Sequence, residues 1–244
     1  MPEPTLWLWL ITLLSSLVAS TVTTVTGVGA GLILYGALSF FMDLKVIIPL
    51  AAPAQLLSTG LRAWLFWPYI RWRLAGYLFL GVLPGIYAGT LLFEVLTEQL
   101  LRRLLGVFLL GFAAYELFQK RAQRRVPHLA WLPFGGFWSG VLLGSIGVPG
   151  PLLALIFLRY GLLKEDLVAM ITLFFLVGNA QRTLLYWQQQ TLLRESLGLA
   201  AAIGVMMLGG VYLGRLILPH VSRALFVKLV LGMLVLFGVQ FLIG

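Results

Sequence analysis

Cysteine is absent from the 244 residues, histidine occurs twice, and Asp and Glu together number 8. Without thiols there is no disulfide framework and no thiolate metal site. His128 and His220 stand far apart in expected loops, so no metal ligand set and no cofactor is expected. Charge is scarce as well: 10% of residues are charged, where soluble domains carry about 25%. What takes their place is apolar, 61% of the chain, with mean hydropathy +1.01. A water-soluble core cannot absorb that much apolar surface, so the chain is expected to be all-α and integral to a lipid bilayer. Lys and Arg number 17. In a membrane protein that excess marks cytoplasmic loops, and no basic, aromatic-interleaved soluble patch points to nucleic acid.

The charges divide the chain into apolar stretches, roughly Pro4–Met42, Val46–Trp67, Leu74–Phe93, Leu104–Phe118, Leu129–Leu158, Leu167–Trp187, Leu197–Gly214 and Ala224–Gly244. About 20 helical residues cross a bilayer, so six of these suit one crossing each. The first, "MPEPTLWLWLITLLSSLVAS" onward, carries Glu3 and no leading Lys or Arg. It therefore reads as a retained membrane segment rather than a signal peptide. The first and fifth stretches are too long for one crossing. Each is interrupted near its middle, by "TGVGAG" (Thr26 to Gly31) and by "GSIGVPGP" (Gly144 to Pro151).

The interruptions belong to an internal duplication. A shift of 120 residues brings Gly27 onto Gly147, Val28 onto Val148, Leu32 onto Leu152, Arg62 onto Arg182 and Trp67 onto Trp187. With a few inserted residues, Gly85-Ile86-Tyr87-Ala88-Gly89 meets Gly210-Val211-Tyr212-Leu213-Gly214. The expected organisation is a transmembrane repeat over 1–118, a basic linker over 119–128 and a second transmembrane repeat over 129–244. The linker, with Lys120, Arg121, Arg124 and Arg125, is placed in the cytoplasm. If each long stretch crossed once, loop cations would divide seven inside and eight outside. If each goes in and comes back, eleven lie inside and four outside, the usual asymmetry. Each repeat then begins with a glycine-broken helical hairpin, either two short spans or two re-entrant half-helices, followed by three transmembrane helices. The repeats are inverted, a plan of secondary transporters with the substrate between the halves.

Non-helical backbone at membrane depth persists only where it is buried or lines a polar cavity. Gly27, Val28, Gly29, Ala30 and Gly31 in one break, and Gly147, Val148, Pro149 and Gly150 in the other, are therefore candidate binding residues. The helices expected after them, from Leu32 in the first half, offer unpaired N–H groups and a positive dipole end to an anion. Pro149 and Pro151 suit the breaker and first-turn positions. The competing explanation is close helix packing through small residues.

The stretch "GVLLGSIGVPGPLLALIFLRYGLLKEDLVAMITLFFLVGNAQRTLLY", Gly140 to Tyr186, resembles the second-half signature of the TauE/SafE family of sulfite and organosulfonate exporters. "TGVGAGLILYG" resembles its first-half glycine cluster, interrupted here by Val28 and Ala30 and without the proline that commonly follows. The resemblance implies a bacterial or archaeal inner-membrane, multi-pass protein that moves small sulfur oxyanions or sulfonates.

Arg62, in an apolar segment, is the leading side-chain candidate, with Arg182 its equivalent; two guanidinium forks could neutralise and hold an oxyanion. Alternatively both snorkel toward an interface marked by Trp64, Trp67, Tyr186 and Trp187. Asn179 shares a helix face with Arg182, Thr59 is its counterpart, and Gln55 lies one turn before Thr59. Interhelical hydrogen bonds explain these three equally well. Glu116 is the only acid inside a segment, so no proton relay is evident and the energy source stays open. The expected protein is thus a secondary transporter and no enzyme. It binds a small anion near the midplane and works by alternating access, with a homodimer as one expectation for its assembly. An anion channel, or an accessory membrane subunit without transport of its own, is the alternative.

Overall fold

The computed structural model describes residues 6–26, 29–118, 128–162, 164–192, 197–217 and 223–243. The described residues contain helices and turns and no strand. Among the described residues ten α-helices follow in two series of five. The first is α1 (Leu6–Thr26), α2 (Ala30–Leu38), α3 (Leu44–Leu65), α4 (Trp72–Val95) and α5 (Glu98–Phe118); the second is α6 (Leu132–Ser145), α7 (Gly150–Arg159), α8 (Lys164–Gln188), α9 (Leu197–Ile217) and α10 (Arg223–Ile243). Each series is a broken pair followed by three long helices. The broken pairs differ in length: α1 has 21 residues against 14 in α6, while α2 has 9 and α7 has 10. At 1.5 Å per residue α1 reaches about 32 Å and is no half-helix, whereas α2 and α7 are.

The breaks lie where backbone geometry demands glycine. Gly29 precedes α2 with φ 117°, and Gly147 sits between α6 and α7 with φ 73°; side chains rarely adopt such values. The new helix starts at Ala30 rather than Leu32. In the second break the left-handed residue is Gly147, while Gly150, expected to share in the break, is the first residue of α7. Pro149 is its N-cap and Pro151 falls in its first turn. The two breaks meet: a Cβ added to Gly31 would stand 3.0 Å from the Gly147 carbonyl oxygen.

The series interlock by exchange, α1 packing along α9 and α6 along α4, with α3 against α8 and α5 against α10. Glycines allow the first two contacts. A Cβ at Gly85 or Gly89 would collide with the backbone of Phe137 or Val141; one at Gly210 or Gly214 would collide with that of Leu17 or Thr21. Leu17 and Thr21 are what the 120-residue shift brings onto Phe137 and Val141, so the same contact is made twice.

Polar groups mark the two ends. At one, the Glu98 carboxylate accepts from the Leu44 and Lys45 amides at the start of α3, at 3.0 and 3.1 Å, and from Arg102 Nε at 2.7 Å. Lys45 Nζ donates to the last carbonyls of α4, Phe93 and Glu94. These contacts satisfy helix-end groups and set opposite charges against the dipoles. At the other end the Tyr160 hydroxyl donates to the His128 carbonyl at 2.9 Å. The second broken pair therefore returns to the end from which it started. Arg71, after α3, pairs with Asp166, in the first turn of α8, at 2.6 Å. The end of α3 thus meets the start of α8, so these corresponding helices run antiparallel.

Candidate functional site

A small cavity opens at the start of α2. It is lined by Thr23 of α1, Ala30 of α2, Gln55, Ser58, Thr59 and Arg62 of α3, and Phe175 of α8. A water centre can move through about 10 Å³ of it, room for about one water molecule. Arg62 lies in the last turn of α3, about 11 Å from the helix centre at 1.5 Å per residue. It is nevertheless 1% exposed, so it does not reach out to the surface as a snorkelling side chain would. No Asp or Glu pairs with it among the described residues, and its Nε and the Gln55 Nε2 have no hydrogen-bond partner. The Thr59 hydroxyl donates to the Gln55 carbonyl at 2.7 Å and that of Ser58 to the same carbonyl at 3.1 Å. Thr23 donates to the Ala19 carbonyl at 2.7 Å.

The backbone adds donors. The first hydrogen bond of α2 runs from the Ile33 amide to the Gly29 carbonyl at 3.0 Å. The amides of Ala30, Gly31 and Leu32 precede it and have no acceptor within the helix. Ala30 lines the cavity, so the positive end of α2 and the Arg62 guanidinium converge on one space. Phe175 closes it from the opposite series, at the position that the 120-residue shift matches to Gln55.

Arg182 is placed differently. It is fully buried in α8, but its Nη1 donates to the Leu143 carbonyl at 3.2 Å, and its Nη2 lies 3.5 Å from the Tyr35 hydroxyl. Tyr186, one turn on, donates to the Gly144 carbonyl at 2.6 Å. Both side chains thus hold carbonyls at the C-terminal end of α6, where a cation also suits the dipole. Asn179 is fully buried, with neither amide atom hydrogen-bonded. Val148, Pro149 and Gly150 are buried at the second break. A Cβ on Gly147 would strike the Tyr35 ring and hydroxyl, so Gly147, Tyr35 and Arg182 form one packed knot.

Of the expected residues, Ala30, Gln55, Thr59 and Arg62 line the cavity, Gly29 adjoins Ala30, and Gly31 touches the second break. Asn179 and Arg182 do not line it. Gly27 and Val28 lie outside the described residues, as do the linker residues 119–127. Thr23, Ser58, Phe175 and Tyr35 escaped the sequence reading, and Tyr186, expected to mark a membrane interface, is instead fully buried on the Gly144 carbonyl. The run "STVTT" (Ser20 to Thr24) and the Ser58-Thr59 pair carried a polar signal for two of them. An apolar phenylalanine in an apolar helix carried none.

The model of a protein family described as "Sulfite exporter TauE/SafE" matches residues 12–241. A curated relative from Cupriavidus necator, "Probable sulfite/organosulfonate exporter TauE", is 30% identical over 229 residues, covering 90% of this chain and 88% of its own length. No solved structure matches the chain.

Proposed function

The chain belongs to the sulfite exporter TauE/SafE family, and from that premise we propose that it is a multi-pass secondary transporter, an exporter of sulfite or a small organosulfonate. The substrate seat is the Arg62 cavity. The observation that carries this reading is Arg62 itself, a buried cation without a carboxylate, beside unsatisfied Gln55 and the start of α2. A buried charge without its partner is strongly unfavourable, and a bound oxyanion supplies the partner. The hydroxyl protons of Ser58, Thr59 and Thr23 already go to helix carbonyls, so the donors free for the anion are the Arg62 guanidinium, the Gln55 side-chain amide and the first amides of α2, while Phe175 and Ala30 face its less polar side.

We read the two series as inverted repeats, with residues 1–118 and 129–244 as the units and the basic 119–128 linker on the cytoplasmic side of the inner membrane. The duplicated glycine contacts and the antiparallel run of α3 and α8 support this. The cavity holds about one water, less than a sulfur oxyanion needs, so loading the seat requires the surrounding helices to move apart. Alternating exposure of the seat to the two sides follows the general logic of inverted repeats. The chemistry asks for electrostatic and hydrogen-bond complementarity to an anion rather than for a nucleophile or metal.

Thermal unfolding of the purified protein with sulfite, sulfoacetate, phosphate and acetate tests this. A substrate at a hundred times its dissociation constant should add about 2.7 kcal/mol. Stabilisation by sulfur anions alone, with saturable flux in vesicles, is the expected result. Stabilisation by acetate alone, or flux far above carrier rates that does not saturate, would count against the assignment.

A further inference from the structure

A second recess, sharing no residue with the Arg62 cavity, lies between the arms of the α6–α7 pair. This groove has a volume of about 400 Å³. Trp131, Phe134 and Gly135 line it from the start of α6, and Ile156, Arg159 and Tyr160 from the end of α7. Its walls are mostly apolar. Trp131 and Phe134 are 65% and 60% exposed and meet edge to face at 6.2 Å. In a membrane-spanning chain, aromatic surface at helix ends sits at the boundary of headgroups and acyl chains. Gly135 keeps the trough open, since a Cβ there would approach Ile156 Cδ1 to 2.9 Å. At the mouth stands Arg159, exposed and without a hydrogen bond or ion pair to any described residue. The bond from Tyr160 to the His128 carbonyl ties the two arms together there.

We propose that this groove binds one anionic phospholipid. An acyl chain lies along Phe134, Gly135 and Ile156, and the phosphate rests on Arg159. The charge pattern selects this occupant: an apolar trough opens at a single unpaired guanidinium, a group whose planar fork matches phosphate oxygens. The same end of the molecule carries exposed Arg73, since the neighbouring Arg71 reaches and pairs with Asp166 six residues beyond Tyr160. Basic groups concentrated at one membrane face attract anionic headgroups, and basic pockets between spanning helices hold them.

The test is native mass spectrometry of the full-length protein with phosphatidylglycerol and phosphatidylcholine of matched chains. Wild type should retain phosphatidylglycerol about fivefold better, the factor that corresponds to about 1 kcal/mol per basic residue at an anionic surface. Arg159→Gln should bring the ratio near one, Gly135→Leu should lower retention of both lipids, and Arg103→Gln, at the other end, should change nothing. Excess inorganic phosphate should not displace the lipid. Equal retention of the two lipids by wild type would overturn the proposal. So would undiminished phosphatidylglycerol binding in both groove variants, each checked as monodisperse, or displacement by phosphate alone.

Discussion

Among the described residues neither buried arginine has a carboxylate and the Nε of each lacks a partner, but Arg182 is held by the Leu143 carbonyl and the Tyr35 hydroxyl, whereas Arg62 has no such bond and its burial lowers stability. Substitution should separate the two. Arg62→Leu is expected to abolish sulfite flux in reconstituted vesicles while leaving the unfolding temperature unchanged or higher. Arg182→Leu frees the Leu143 carbonyl and the Tyr35 hydroxyl, and should lower stability by about 1–3 kcal/mol. Thermal unfolding followed by tryptophan fluorescence reads both. The glycines divide in the same way. Gly29 has room for a side chain, the nearest atom to an added Cβ being Val22 Cγ1 at 3.6 Å, but its φ is left-handed. Gly29→Leu should therefore cost about 1–2 kcal/mol of backbone strain and leave a folded, inserted protein. That protein should bind no anion, because the start of α2 shifts. Gly147→Ala combines the same strain with a collision at Tyr35 and should be the more damaging change. Normal affinity in Gly29→Leu would reduce the first break to a packing device.

Helices α4 and α6 touch backbone to backbone through glycines spaced by four, Gly81, Gly85 and Gly89 against Gly136, Gly140 and Gly144. Helices α1 and α9 make the equivalent contact with Ser16, Ser20 and Thr24 at the positions of the three α6 glycines, Ser20 and Thr24 lying against Gly210 and Gly214. Gly85→Leu and Gly210→Leu should each lower thermal stability strongly, and by similar amounts, since each meets a backbone carbonyl at the same relative place. A large loss for one and none for the other would argue that the duplicated contact is not energetically duplicated. These elements were largely legible in the sequence. Uncharged runs give helices, charges give their ends, and glycine or proline inside an over-long run gives a break. The unequal arms were not legible, because nothing in the apolar run before Gly27 tells a 21-residue helix from a half-span. Arg62 and Gln55 could be picked out because polar atoms are conspicuous among apolar ones. Phe175 and the partners of Arg182, the Leu143 carbonyl and the Tyr35 hydroxyl, could not, because those contacts are made by tertiary packing of helices distant in sequence.

On the scale of the whole chain, the ends of the helices are the checkable quantity. The absence of native cysteine makes single-cysteine labelling direct. Gly161→Cys and Arg73→Cys should react with an impermeant maleimide from one side of the membrane, and Phe40→Cys and Arg103→Cys from the other. Labelling of Gly161→Cys from the same side as Phe40→Cys would break the return path of the second pair. The Arg62 cavity at the start of α2 is the proposed anion seat. Its most direct test is calorimetric titration of sulfite into purified wild-type and Arg62→Leu protein. Saturable binding to wild type and none to folded Arg62→Leu is the expected result; equal affinity in the two proteins would rule the cavity out as the seat.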